Sequence, residues 1–299
     1  MYDIDLTHLY QIPDLPAPPR RVISLVPSIT ESLFTLGFGD TVVAITDYCV
    51  HPREAVATLQ RVGGPKNPEV PAIIALQPDL VFANQEENTP ELVHALLEAH
   101  IPVWLSFPQN VDQAINTLFD LVAIYHTDAA AMQLKALQNA IDWARGAAQS
   151  QDPVTYFCPI WQEQSDDQTW WMTFNQDTFS HDILALFGGH NVFADRQRRS
   201  PLAADLGWTE SEDPAPQGDT RYPRVTIDEV VGADPQLILL PSEPFAFDES
   251  HKRVFAELLS STRAVKNDNI HLVNGSLITW HGTRIALALQ ELPIFFISQ

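Results

Sequence analysis

Short, wholly apolar runs alternate with amphipathic stretches along most of the chain. RVISLV at 21–26, TVVAIT at 41–46, LVFA at 80–83, PVWLSF at 102–107, VTYFCPI at 154–160, LILL at 237–240 and IHLVN at 270–274 are too short for buried helices. They do not alternate strictly between apolar and polar, which predicts strands covered on both faces. Between them lie helical patterns: one after Pro27-Ser28, with Ser28 or Thr30 as cap and Gly37 and Gly39 as stop, one ending at Gln77, and others over 90–100, 111–125 and 178–187. A last helix is expected from about Gly282. Strand–helix alternation of this kind predicts parallel sheets with helices on both faces.

One unit is written twice. VPAIIALQPDLVFANQE at 70–86 and IDEVVGADPQLILLPSE at 227–243 align without a gap, so that Pro78 matches Pro235, Leu80 matches Leu237 and Glu86 matches Glu243. Each copy reads as a short helix stopped at an X-Pro pair, a buried strand and a polar loop. Two copies predict two similar α/β lobes. In such sheets ligands bind beyond the carboxyl ends of the strands, so the loops Asn84–Asn88 and Pro241–Phe245 are expected to face one cleft between the lobes. The stretch 128–149 has no proline and a single late glycine. It predicts one continuous helix, roughly 30 Å long, joining the lobes as a rigid spine. The resulting division is an extended lead-in at 1–19, an amino-terminal lobe at 20–108, linking helices at 109–150 and a carboxyl-terminal lobe at 151–299, with a polar surface loop over 196–222.

Composition narrows the function classes. A chain of 299 residues, 45% hydrophobic, has material for two cores. A net charge of −21, from 38 acids against 17 bases, argues against nucleic acid as a partner, because phosphate contacts need basic patches. No apolar run reaches the ~20 residues of a membrane span. The first residues lack the basic and apolar regions of an export signal, which leaves a cytoplasmic address open beside a trimmed, exported one. GxGxxG, GxxxxGK[ST], GxSxG and HExxH are all missing, so the common dinucleotide, P-loop, hydrolase and zincin chemistries lack their motifs. Neither the two single cysteines, Cys49 and Cys158, nor the 10 histidines show metal-ligand spacing, and no catalytic or metal residue is assigned.

What remains is a noncovalent binding site. A large amphipathic ligand needs apolar area with a few fixed polar groups, which aromatic side chains supply at low entropic cost. In the first lobe the candidates are Ser28 at a strand-to-helix turn, Tyr48 in the loop after the second strand, Gly64 and Lys66 in a glycine-rich turn, and Asn84 and Gln85 after the repeated strand. In the second they are Trp161, Trp171 and Ser242, followed by Trp280 and His281 ahead of the last helix. Blander roles compete for several of them: a helix cap for Ser28 and His281, a rim residue packed on Pro52 for Tyr48, a buried core residue for Trp171.

RVISLVPSITESLFTLGFGDTVVAITDYCVHP, RVGGPKNPEVPAIIALQPDLVFA, TFNQDTFSHDILALFGGHNVFAD, VTIDEVVGADPQLILLPSEP and LVNGSLITWHGTRIALALQEL together resemble the helical-backbone periplasmic binding proteins, receptors of ABC importers for cobalamin, siderophores and haem. RVISLVPSITE with the DYxxxP pair is most similar to the cobalamin branch. The resemblance implies two Rossmann-like lobes joined by a rigid helix, a metal-chelate ligand (cobalamin or a related corrinoid) held without covalent chemistry, an extracytoplasmic monomer and an importer permease as partner. It gives Tyr48 as a ligand contact. It also implies acidic docking residues at the lobe tips, matched here by Asp228 with Glu229 beside it; Pro71 stands at the equivalent first-lobe position, with Glu69 two residues before it. First-turn acids also favour helix dipoles, so a purely structural role stays open for Glu69 and Asp228. The alternatives are a ferric siderophore or haem receptor, a cytosolic sensor or carrier of the same fold, and a chelatase-like protein.

Overall fold

The computed structural model describes residues 6–165, 168–209 and 218–296. The chain divides into two compact units. The first holds residues up to Asn139 together with Trp280–Ile285; the second holds Ala140–Thr279 and the residues from Ala286 onward. The helix Ala131–Ala148 is one unbroken element, as its proline-free sequence predicts, and the division falls within it.

The first unit is built on a five-stranded sheet. Its strands are β1 (Val22–Ser24), β2 (Val42–Ile45), β3 (Gln60–Arg61), β4 (Leu80–Asn84) and β5 (Val103–Ser106), in the order β3-β2-β1-β4-β5. All its pairings are parallel. Every residue of β1, β4 and β5 is buried, the signature of a sheet covered on both faces. One cluster joins Ile23, Leu25, Val81, Ala83, Val103 and Leu105 to Leu92 and Leu96 of the helix Pro90–Glu98. The lead-in is not featureless, because Thr7–Tyr10 forms a 3-10 turn whose Leu9 enters the same cluster.

The second unit carries β6 (Val154–Phe157), β7 (Trp161–Ser165), β8 (Gln168–Met172), β9 (Gly189–Asn191), β10 (Arg224–Thr226), β11 (Leu237–Pro241) and β12 (Ile270–Val273). A parallel sheet runs β12-β11-β6-β9, and a separate antiparallel sheet runs β10-β8-β7. The antiparallel sheet packs Trp171 and Val225 into one core with Phe157, Ile238, Leu240 and Phe255. The helix Glu249–Leu258, which the sequence pattern left unread, supplies Phe255.

The repeat survives as structure. Val70–Ala75 leads into β4 and Ile227–Ala233 into β11, and each strand is interior in its sheet. Both copies leave the helix through a left-handed residue just before the proline, Gln77 at φ 47° and Asp234 at φ 46°. Such a residue reverses the chain while proline forbids another helical turn. The next residue ties the unit to a neighbouring strand: Asp79 N donates to Arg21 O at 2.7 Å, and Gln236 exchanges hydrogen bonds with Thr155 at 3.0 and 3.2 Å.

The loop over 196–222 is more ordered than a plain surface excursion in its described part. Leu202–Asp205 is helical, and the fully buried Asp205 carboxylate accepts from Arg224 Nε at 2.6 Å, from the Arg224 and Arg199 backbone N–H groups at 2.9 Å, and faces Arg196 at 3.2 Å. Residues 210–217 of that loop lie outside the described residues.

Candidate functional site

In the first unit every predicted site residue lies at the carboxyl edge of the sheet or on a segment seated there. β2 ends at Ile45, and the loop behind it carries Tyr48, 65% exposed, the most exposed aromatic of this edge. Gly64 lies beside it; a Cβ added there would come 3.9 Å from the Tyr48 ring and 3.0 Å from Asn67 Oδ1. Lys66 is exposed and its ammonium donates to the Glu86 carbonyl, which ties the glycine turn to the loop after β4. Gln85 is exposed and accepts from the Tyr10 hydroxyl. Asn84 is fully buried: its Nδ2 donates to Ser106 Oγ at 3.2 Å and its Oδ1 accepts from Glu86 N at 2.8 Å. It therefore builds the loop that presents Gln85.

Ser28 does not cap its helix. Pro27 occupies the first turn of Pro27–Thr35 and Val26 is the N-cap, with no side-chain cap bond, so the missing proline N–H makes a capping hydroxyl less necessary. Ser28 Oγ instead lies 3.2 Å from His281 Nδ1, and both residues are buried. Burial lowers the His281 pKa to about 4, so the ring is neutral at neutral pH.

His281 arrives on Trp280–Ile285, which folds with the first unit. Ser32 Oγ receives a hydrogen bond from Thr283 N at 3.1 Å. Gly282, at φ 103°, sits so close that a Cβ would lie 2.4 Å from Ser32 Oγ and 3.2 Å from the Ser28 carbonyl oxygen. Arg284 Nε donates to Glu31 Oε2 at 2.7 Å, and its other nitrogen reaches Glu31 Oε1. The same guanidinium lies 4.8 Å from the centroid of the half-buried Trp280 ring. His51 also meets that ring edge to face, at 5.8 Å and 70°. Burial and the Arg284 cation push the His51 pKa down. His51 was not singled out from sequence, although it belongs to the DYCVHP segment that carries the family resemblance.

In the second unit, Trp161 opens β7 rather than ending β6, and it is 42% exposed. It meets Phe245 edge to face at 5.5 Å, and Phe245 packs on Phe247 at 4.7 Å. Phe245 follows β11 in the loop that sequence reasoning marked, but was not named as a contact; its apolar ring in a polar loop was the available signal. Ser242, exposed, accepts from Gly275 N at 3.1 Å. Trp171 is wholly buried, donates its Nε1 to Gln162 Oε1 at 2.9 Å and packs on Phe255 at 4.7 Å, which places it in the core.

The docking candidates differ in how occupied they are. Glu229 completes a capping box with Thr226, accepting from Thr226 N at 2.9 Å while Thr226 Oγ1 accepts from Glu229 N at 3.2 Å, and it also faces Arg196 at 3.3 Å. Asp228, one residue earlier, is exposed on the first turn. Glu69 is exposed at the N-cap position of its helix without making a side-chain cap bond. Both cysteines are buried and their thiol pKa values are raised by burial. Among the described residues there is no cluster of three or more His, Cys, Asp or Glu side chains fit to hold a metal ion, and no helix is long and apolar enough to cross a membrane.

The chain is similar to the vitamin B12-binding protein of Vibrio cholerae serotype O1, 26% identical over 293 residues that cover 96% of this chain and 94% of that one. The vitamin B12-binding protein of Yersinia pestis is 26% identical over 275 residues, covering 91% and 85%. Among solved structures, the periplasmic vitamin B12 binding protein of Vibrio cholerae superposes with a TM-score of 0.72 at 22% identity, covering 94% of this chain and 98% of that one. A periplasmic haem-binding protein from Roseiflexus sp. RS-1 superposes at 0.70 and 20% identity, covering 93% and 97%. At these identities the two structures establish a common fold. The family profile described as "Periplasmic binding protein" matches residues 22–274, and this chain belongs to that family of binding proteins.

Proposed function

We propose that this chain is the substrate-binding receptor of an ABC importer and that it takes up a corrinoid, cobalamin or a close relative, without covalent chemistry and outside the cytoplasmic membrane. The observation that carries this reading is the 26% identity to a vitamin B12-binding protein along 96% of the chain. The carboxyl-edge loops supply suitable chemistry. Tyr48 and Trp280 in the first unit, and Trp161 and Phe245 in the second, present aromatic area beside exposed hydrogen-bonding groups at Gln85, Lys66 and Ser242. Asp228 and Glu69 are the acids available to dock on the importer, since Glu229 is engaged at its helix cap.

Calorimetric titration with cyanocobalamin, with haem and a ferric siderophore in parallel, tests the assignment. One-to-one, submicromolar cyanocobalamin binding without turnover is the expected result. Binding of haem or siderophore alone keeps the receptor class and replaces the ligand; heat from none of the three defeats the reading.

A further inference from the structure

The Trp280 ring is held by two charged side chains more deeply buried than itself. Trp280 is half-buried, whereas Arg284 is 5% and Glu31 17% exposed at their side chains. The guanidinium is bonded to both Glu31 oxygens, and its Cζ lies over the Trp280 ring, 4.8 Å from the centroid. That geometry suits a cation–π contact, which is strongest for Trp and for a cation removed from water. The backbone behind the ring has little freedom either, because Gly282 has no room for a Cβ against Ser32 and Ser28, and Thr283 N is bonded to Ser32 Oγ. His51, which meets the ring edge to face, lies on the same loop as Tyr48.

We propose that Glu31 and Arg284 are a positioning pair that sets the plane of Trp280 before ligand arrives, so that the ring is a preformed stacking platform beside Tyr48. The pair acts through the ring and touches no ligand. The idea rests on the reading that this edge binds a large flat ligand, and it adds the residues that tune the affinity. A preset ring loses little side-chain freedom on binding, so its contact area converts more fully into affinity. The carboxylate has its own part in this: it fixes the direction of the guanidinium, and a cation without it is free to swing off the ring.

Three variants separate positioning from simple structural support. Arg284→Met keeps the apolar stem and removes the cation. Glu31→Gln leaves the cation without its carboxylate. The exchange Glu31→Arg with Arg284→Glu restores an ion pair but takes the cation off Trp280. The first readout needs no ligand: the ring-proton NMR signals of His51, assigned by their loss in His51→Gln and recorded at about pH 9, where His51 is neutral with or without the Arg284 cation, sense the ring current of Trp280 5.8 Å away. The second is the cyanocobalamin affinity, and the third the urea midpoint.

Arg284→Met is expected to move the His51 signals and to weaken binding about tenfold, with Glu31→Gln doing the same to a smaller extent. The exchange is expected to recover the urea midpoint without recovering affinity or the His51 signals. Recovery of affinity by the exchange, or unmoved His51 signals in Arg284→Met, overturns the proposal. If the exchange does not fold, Arg284→Lys decides the matter. Retention of the His51 signals with lysine and their loss with methionine supports the pair, and equal loss in both refutes a role for the cation. If the unaltered protein binds none of the three chelates, the functional reading falls, while the His51 signals still show whether Arg284 holds the ring.

Discussion

His281 shows how strongly one buried residue can tie stability to pH. Its pKa near 4 arises from burial, so the folded protein binds fewer protons there than the unfolded chain, whose histidine titrates around 6.5. The lowered value means that its contribution is intact above about pH 6.5 and is lost as the pH falls toward 4. Over that window the linkage is worth roughly 3 kcal/mol. The urea midpoint of the unaltered protein should fall from pH 7 to pH 5, and a His281→Gln variant should show a flatter profile; parallel profiles would remove His281 from the acid response. Gly282→Ala forces a side chain into a left-handed backbone where Ser32 Oγ already stands 2.4 Å from the new carbon. A loss of about 2 to 4 kcal/mol is expected from denaturant titration. Tyr48→Ala removes an exposed ring and should leave the midpoint unchanged while weakening cyanocobalamin by about 1 to 3 kcal/mol in calorimetry.

At the scale of elements, the two copies of the repeated unit are not equally secured. Ile227–Ala233 begins with a full capping box, whereas Val70–Ala75 begins at Glu69 with no side-chain cap. Thr226→Ala should therefore cost about 1 kcal/mol, read as a shifted midpoint. Asp228→Ala, on the same helix but outside the cap, should leave both midpoint and affinity in place and lower uptake by the cognate importer. Much of this architecture was legible along the chain. The repeat, the buried strands and the helix over residues 131–148 announce themselves through runs and periods confined to neighbouring residues. The antiparallel sheet β10-β8-β7 did not, because the polar residues Gln162 and Glu163 carry no strand pattern, and only their pairing with Trp171 and Trp170 reveals β7. Ser28 misled for a related reason. A hydroxyl near a helix start suggests a cap, and the histidine that claims it is 253 positions away in sequence. The membership of Trp280–Ile285 in the first unit was equally illegible, since its partners Glu31 and Ser32 leave no periodic trace near residue 280.

For the whole molecule, membership of a family of binding proteins leads to a simple thermodynamic expectation. A receptor that binds only when folded is stabilised by its ligand through mass action, by about 2.7 kcal/mol at 100 times the dissociation constant. Cyanocobalamin at that excess should raise the denaturation midpoint accordingly and emerge chemically unchanged. A midpoint that ignores the ligand at saturating concentration would show that the bound form is not the folded one described here. The last structural consequence concerns synthesis. Because Trp280–Ile285 belongs to the first unit, Glu31 of helix Pro27–Thr35 is synthesised 253 residues before Arg284 can reach it. At ~5–20 residues per second that delay is on the order of tens of seconds, during which Ser28, Glu31 and Ser32 stay without these partners. The nascent first unit is thus incomplete until Trp280–Ile285 has been made, and a chain that terminates before residue 280 carries that unfinished surface permanently.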